Sequence, residues 1–548
     1  MSPVRTMLRR PRGLVAAGVA GLLIAAGASA PAGAEANNNT SHKLRDAVTA
    51  AGVLHHQQAM QDIGTANGGT RVSGTAGFDQ SKDYAVSVFR AAGYGVTVQP
   101  FQYQTFIDHG QSAVDQVAPA PRQLPHTVLT YSGSGDATAP VATPSEPLGC
   151  EAADYAGFPA GSIALVSRGT CTFAIKATNA HNAGAAAVVV YNNGPGALGG
   201  SLTSAFTLDI AVTGITQALG NELLTLVPGG LTLHVKTDTF RGQATTYNVF
   251  AESRYGDPDN IVMAGAHLDS VNAGPGINDN GSGAAAILEI AKQMRKVHPT
   301  NKVRFALWGA EESGLVGARY YINDLRTNHP DLLQKIALYL NFDMISSPNY
   351  VRFVYDGDNS AFPVGPGAAE GPPGSDAIEA LFHDYFASVS QPSAETPFSG
   401  RSDYGPFIEA GVGIPAGGLF TGAEGVKTAA QAELFGGVAG AAYDPCYHQL
   451  CDALTYDFAA DVDRAAIYAE LNADYDMAGN VNLDALEEMS DAVAHAIITY
   501  AFDTRSVNGS GKGHPVSPPG QSGSGAAAGG GTDSGGGLHP DDDHEPVL

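Results

Sequence analysis

Five short strings in this chain set histidine, aspartate or glutamate where chemistry needs them. Ile261-Val262-Met263-Ala264-Gly265-Ala266 leads into His267-Leu268-Asp269, and the apolar run 303–308 leads through Gly309-Ala310 into Glu311-Glu312. Leu338-Tyr339-Leu340-Asn341-Phe342 ends at Asp343. Asn278-Asp279-Asn280 precedes Gly281-Ser282-Gly283, and Tyr447-His448 follows far downstream. Imidazole nitrogen and carboxylate oxygen are suitable zinc donors. Two histidines with three carboxylates match a pair of ions roughly 3.5–4 Å apart. One carboxylate must bridge, because two dications at that separation repel strongly unless anions lie between them. A water held by both ions loses its proton near neutral pH and becomes a nucleophile. An unligated carboxylate then takes that proton and passes it to the leaving amine. Neighbouring residues at a strand end point different ways, so Glu311-Glu312 can supply both a ligand and a base. Taken singly, each residue has a plainer reading. Asp279 could be a helix N-cap, Glu311 and Glu312 a solvated turn, His448 a structural histidine. Their convergence is what points to chemistry.

The elements that would position these groups alternate. Strands are expected at 261–264, 303–308 and 336–342, and helices at 284–294, 315–325, 376–388 and 484–500. That order predicts an α/β fold, with a mainly parallel mixed sheet sandwiched by helices. In open sheets of this kind the ligand site lies beyond the carboxyl ends of the strands. Three strands therefore aim His, Glu-Glu and Asp at one crevice. Upstream, residues 41–101 read as helical segments, including 81–92, followed by a short strand at 96–101.

A chain of 548 residues is too long for one core. Arg5, Arg9, Arg10 and Arg12, an apolar run over 13–27 and the small residues around Ala28-Ser29-Ala30 read as a cleaved secretory signal over 1–34. No later stretch has the roughly 20 unbroken apolar residues of a membrane span. A secreted, extracellular chain with no membrane association after processing is expected. Residues 112–240 are rich in Gly, Pro and Ser, with short β-type runs and no useful cluster of His, Asp and Glu. Residues 506–548 turn Gly/Ser-rich and acidic, which predicts a disordered tail. With 29 basic against 54 acidic residues and a net charge of −25, the chain repels phosphate backbones, so no nucleic-acid partner is expected. Four cysteines in an exported chain favour two disulfides. Three pairings are formally possible, and local spacing favours Cys150–Cys171 and Cys446–Cys451.

The strings Ala266-His267-Leu268-Asp269-Ser270, Asn278 to Gly283, Gly309-Ala310-Glu311-Glu312-Ser313-Gly314-Leu315, Asn341-Phe342-Asp343-Met344 and Tyr443 to Asp452 resemble the secreted di-zinc aminopeptidases of the bacterial aminopeptidase S and fungal aminopeptidase Y family. The resemblance covers 41–111 and 241–505, a discontinuous catalytic domain with the zinc-exopeptidase fold. It implies two Zn2+ per chain. His267 and Asp343 would hold one, Glu312 and His448 the other, with Asp279 bridging and a cis peptide at Asp279-Asn280. Glu311 would be general base and then general acid, Asp269 would fix the ring of His267 from behind, and Tyr447 would stabilise the oxyanion. The Cys446–Cys451 bridge would clamp the loop carrying Tyr447 and His448. Gly400, Arg401, Met344 and Phe420 would line an apolar pocket for a large hydrophobic N-terminal residue such as leucine. Glu311, Asp343 and backbone near Arg401 would hold the free amine. The region 112–240 resembles a protease-associated domain, through Ser162 to Phe173 and Ala180 to Asn192.

The implied function is release of N-terminal amino acids from peptides or proteins, by a monomer. Rival readings on the same scaffold are a carboxypeptidase, a dipeptidase and a glutaminyl cyclase. A binding protein on a decayed scaffold would have lost ligands, whereas every ligand position here is filled. A Ca2+ site is compatible with so acidic a chain, but no residues place it. Asp356-Gly357-Asp358-Asn359-Ser360 starts like a calcium loop yet lacks the glycine and glutamate an EF-hand needs.

Overall fold

The computed structural model describes residues 37–194 and 198–515. The expected signal segment 1–34 and most of the expected tail lie outside them.

Runs rich in apolar and β-branched residues form the central sheet. Its strands are β1 (Gly95–Asp108), β2 (Thr239–Glu252), β3 (Asp257–His267), β4 (Asn301–Trp308), β5 (Ile336–Phe342), β6 (Phe353–Tyr355), β7 (Ala394–Thr396) and β8 (Ala416–Phe420). They lie in the order β1-β2-β4-β3-β5-β8-β6-β7. β3 runs parallel to β4 and β5, and β5 parallel to β8. β1, β2 and β6 add antiparallel pairings toward the edges. All seven residues of β5 are buried, the pattern of a strand covered on both faces.

Six helices supply most of that cover: α1 (Ala50–Ala66), α2 (Ala76–Ala91), α3 (Gly281–Gln293), α4 (Val316–Asn328), α5 (Ser375–Ser388) and α6 (Leu483–Phe502). Alternate residues of β3 face opposite ways. Val262, Ala264 and Ala266 join the core with residues of α1, α2, α3, α5 and α6. Ile261 and Met263 pack with Tyr321 and Ile322 of α4, Trp308 and Phe407. Each fully buried ring, such as Phe89 or Phe305, stabilises by roughly 1.5–3 kcal/mol. Helix α3 sits deepest. Gly283 permits this, because a Cβ there would meet the Phe342 carbonyl oxygen at 2.2 Å.

β1 is much longer than the strand expected at 96–101. It pairs with β2 from Gly95↔Glu252 to Asp108↔Thr239, since Phe101, Tyr103, Thr105 and Phe106 all find buried partners. Between the two strands, residues 109–238 build a second eight-stranded sheet. Its parallel strands Ile163–Ser167, Ala187–Tyr191 and Ala211–Ile215 have apolar clusters on both faces. Cys150 is bonded to Cys171, and Cys446 to Cys451.

The tail expected from Ser506 begins too early. Val507 is buried, the Gly513 amide donates to Asn260 Oδ1 at 3.0 Å, and Lys512 pairs with Asp257 at 2.7 Å. One apolar residue and a few polar groups anchor a segment whose composition alone reads as unstructured.

Candidate metal centre and comparison with known proteins

The carboxyl ends of three adjacent strands deliver the chemistry. His267 is the last residue of β3, Asp343 follows β5, and Glu311-Glu312 stand shortly after β4. Asp279 arrives on the loop entering α3 and is joined to Asn280 by a cis peptide bond. Asn280 caps that helix, its Oδ1 accepting from the Gly283 amide at 3.0 Å and from the Met344 amide at 3.2 Å. One side chain thus fixes the loop behind Asp279 against the loop behind Asp343.

Asp279 joins two clusters. Its Oδ1 lies 3.2 Å from His267 Nε2, which is 3.3 Å from Asp343 Oδ1. Its Oδ2 lies 3.3 Å from His448 Nε2, which is 3.1 Å from Glu312 Oε2. The donor atoms of His267, Asp279 and Asp343 fall within 4.8 Å of one another, as do those of Asp279, Glu312 and His448. Asp343 Oδ1 and Glu312 Oε1 are buried without a hydrogen-bond partner, a costly condition unless something else satisfies them. Donor type and unsatisfied oxygens together fit a pair of divalent cations sharing Asp279.

The surrounding hydrogen bonds aim these donors. Trp308 Nε1 donates to Tyr339 Oη at 2.8 Å, Tyr339 to Asn341 Oδ1 at 3.0 Å, Asn341 Nδ2 to Ser402 Oγ at 2.8 Å, and Ser402 to Asp343 Oδ2 at 2.5 Å. That chain occupies one oxygen of Asp343 and leaves the other toward His267. Asp269 lies behind His267. The nearer neighbour of His267 Nδ1 is the Asp269 backbone oxygen at 3.2 Å, with the carboxylate at 3.7 Å. That carboxylate also accepts the Glu311 amide at 3.2 Å.

Burial works against charge on His267, yet Asp343, Glu311, Asp269 and Asp279 hold its pKa well above the ordinary imidazole value. Burial is likewise opposed at His448 by Glu312 and Asp279, with the same net rise. Burial pushes Glu311 well above the usual carboxylate range; His267 opposes this, while Asp403, Asp343 and Glu312 add to it. Without cations, the cluster keeps protons that metal would displace. Ala310, Met344 and His448 adopt positive φ, so left-handed non-glycine backbone gathers at these loops, as it often does at functional sites.

The cleft above the cluster is lined by Met344, Tyr355, Pro397, Tyr404, Phe420 and Ala423, with Arg401 and Tyr447 at its polar side. Arg401 pairs with Glu424 at 2.7 Å and donates to Tyr447 Oη at 3.2 Å. Gly400, expected in the pocket, is not part of the lining. Its φ of 81° makes a turn, and its amide is spent on Tyr404 Oη at 2.9 Å.

Several residues were given no role by the sequence. Arg71, fully buried, donates to the carbonyls of Leu268, Pro275 and Gly276. Asp452 accepts the amides of Asn278 at 2.8 Å and Asp279 at 3.0 Å. Asp403 is buried with both oxygens unpartnered, and burial raises its pKa well above the carboxylate range.

Fold and site together define a metallo-exopeptidase scaffold, and comparison with known proteins gives its family. Residues 248–473 match the model of peptidase family M28, and 137–223 match the PA domain. The chain is 43% identical over 476 residues to an aminopeptidase of Pseudomonas aeruginosa, covering 84% of this chain and 82% of that protein. It is 39% identical over 488 residues to leucine aminopeptidase 2 of Arthroderma otae, covering 88% and 89%. Among solved structures it is similar to the aminopeptidase from Aneurinibacillus sp. strain AM-1, with 25% identity, a TM-score of 0.54, and coverage of 84% and 95%. A zinc aminopeptidase from Bacillus subtilis shares the fold at 23% identity, with a TM-score of 0.57 and coverage of 82% and 95%. The chain belongs to peptidase family M28 and is a metallo-aminopeptidase carrying an inserted PA domain.

Proposed function

We propose that this protein is an exported di-zinc aminopeptidase that removes large hydrophobic residues, leucine above all, from peptide N-termini. The observation carrying this reading is the pair of histidine–carboxylate clusters sharing Asp279 beneath an apolar cleft. His267 and Asp343 would hold one ion and Glu312 and His448 the other. Bound there, zinc supplies Lewis acidity that makes water nucleophilic near neutral pH and offsets charge on the scissile carbonyl.

This chain's own groups do the rest. Glu311 reaches toward His267 at 3.8 Å, farther than Asp279 or Asp343. Its amide is tethered to Asp269, so it is placed to take a proton from water and return it to the leaving amine. The carboxylates of Glu311 and Asp343 attract the ammonium of a free N-terminus. Met344, Phe420 and Tyr355 receive the first side chain. Tyr447 Oη, held by Arg401, is placed to donate to the oxyanion. Among the described residues, Arg401 is the one lysine or arginine lining the cleft, and Glu424 already engages it. A carboxypeptidase, which must hold a terminal carboxylate, is poorly served by that lining. Export is supported by the basic-then-apolar start and by two disulfides. Among the described residues no helix is long and apolar enough to cross a membrane.

Leucyl anilide and its N-acetylated form should be compared with the zinc-loaded protein. Hydrolysis of the free-amine substrate alone is expected; equal hydrolysis of both would refute the exopeptidase reading.

A further inference from the structure

A second group of ligating side chains lies away from the cleft, where α5 meets β7. Glu379 and His383 stand one turn apart on α5, and Glu395 is on β7. Glu379 Oε1 is 3.7 Å and Glu395 Oε1 4.0 Å from His383 Nε2, and the three donor atoms lie within 4.8 Å of one another. These separations are too long for hydrogen bonds. They suit ligands gathered about roughly 2.0–2.2 Å from a common ion. None of the three residues lines the catalytic cleft.

The unused atoms face one another. His383 Nδ1 is engaged by Ser393 Oγ at 2.8 Å, and its Nε2 is buried with no hydrogen-bond partner. Glu379 Oε2 accepts the amides of Gly357 and Asp358 at 2.8 and 3.2 Å, which leaves Oε1 toward the imidazole. The Glu379 side chain is only 8% exposed. Asp356 and Asp358 sit against the same carboxylate, but both oxygens of Asp356 and Oδ1 of Asp358 accept the amides of residues 360–362. Among the described residues, no lysine or arginine forms an ion pair with any of these four carboxylates. Burial pushes Glu379 up to about 7 despite its two amide donors, and Asp358 and Asp356 add to the rise. His383 is the basic side chain that meets these carboxylates, at 3.7 Å from Glu379 and 4.0 Å from Glu395.

We propose that Glu379, His383 and Glu395 form a binding site for one divalent cation of the zinc class, separate from the catalytic cluster. An imidazole donor between two carboxylates selects a borderline ion such as Zn2+ over calcium, which prefers an all-oxygen shell. Ser393 would fix the ring so that Nε2 presents its lone pair. The bound ion would tie α5 to β7, whose Thr396 and the following Pro397 line the cleft.

The test counts zinc per chain in the full-length protein by elemental analysis, with free Zn2+ raised stepwise in a metal buffer. The native chain is expected to take up one more zinc than His383→Ala or Glu395→Gln. Both variants should keep the metal that supports leucyl anilide hydrolysis. The same zinc count in all three chains at every free Zn2+ would overturn the proposal. So would loss of hydrolysis in a folded Glu395→Gln protein. Because the readout is a difference between chains, it stands apart from how many ions the catalytic cluster holds.

Discussion

Glu311 and Glu312 are neighbours in sequence and face different histidines: Glu312 Oε2 sits 3.1 Å from His448 and Glu311 Oε2 3.8 Å from His267. If Glu311 moves protons and Glu312 holds metal, Glu311→Gln should retain its zinc while kcat falls by about 10²–10⁴. Unchanged turnover would remove Glu311 from the mechanism. The imidazoles give a second expectation. Against the opposing effect of burial, carboxylate neighbours raise the pKa of His267 and His448 well above the ordinary imidazole value, and zinc binds the neutral ring. Zinc affinity, followed by calorimetry, should therefore rise with pH as these protons leave, with proton release on binding. An affinity flat in pH would contradict the assignment of both rings as ligands. The five proposed ligands were legible because each follows an apolar run or sits in a distinctive string. The roles of Arg71, Asp403 and Asp452 were not, although Asp452 closes one of those strings, because a polar residue does not reveal its partners until burial shows what it must satisfy.

At the scale of elements, the loop from Leu268 to Asn280 must hold its shape without regular structure. Arg71 and Asp452 hold it from two sides. Arg71→Met would strand the carbonyls of Leu268 and Pro275, while that of Gly276 keeps the Gly281 amide, at about 1–3 kcal/mol for each one left buried and unpaired. A thermal-melt loss of several kcal/mol is expected, and a change under 1 kcal/mol would show that the loop stands without the guanidinium. Asp452→Ala removes the acceptor behind the Asp279 amide and should weaken zinc binding about 10–100-fold, measured by competition with a chelating dye. Native affinity in that variant would make Asp452 a bystander. The central strands β3, β4 and β5 and most helices of the catalytic unit were readable from periodicity, because strands buried on both faces give continuous apolar runs, whereas β2, β6, β7 and β8 were not. β1 was underestimated because its second half pairs with β2 across the insertion, a partner 130 residues away that local pattern cannot reveal.

For the whole molecule, the long β1–β2 ladder carries residues 109–238 as a unit with its own cores, while every proposed metal ligand lies outside it. Residues 507–513 are anchored where composition suggested an unstructured segment. A chain ending at residue 515 should keep native kcat/KM, whereas one ending at 505 loses the buried Val507 and the Gly513–Asn260 bond and should melt at a lower temperature. Equal melting of both truncations would show that the segment after Arg505 contributes nothing. The most direct measurement is anomalous diffraction at the zinc edge from crystals of the protein. Two peaks, one on each side of the Asp279 carboxylate, with His267 and Asp343 at the first and Glu312 and His448 at the second, are the expected result. A single peak, or density that leaves His448 or Asp343 unligated, would contradict the shared centre on which the function rests.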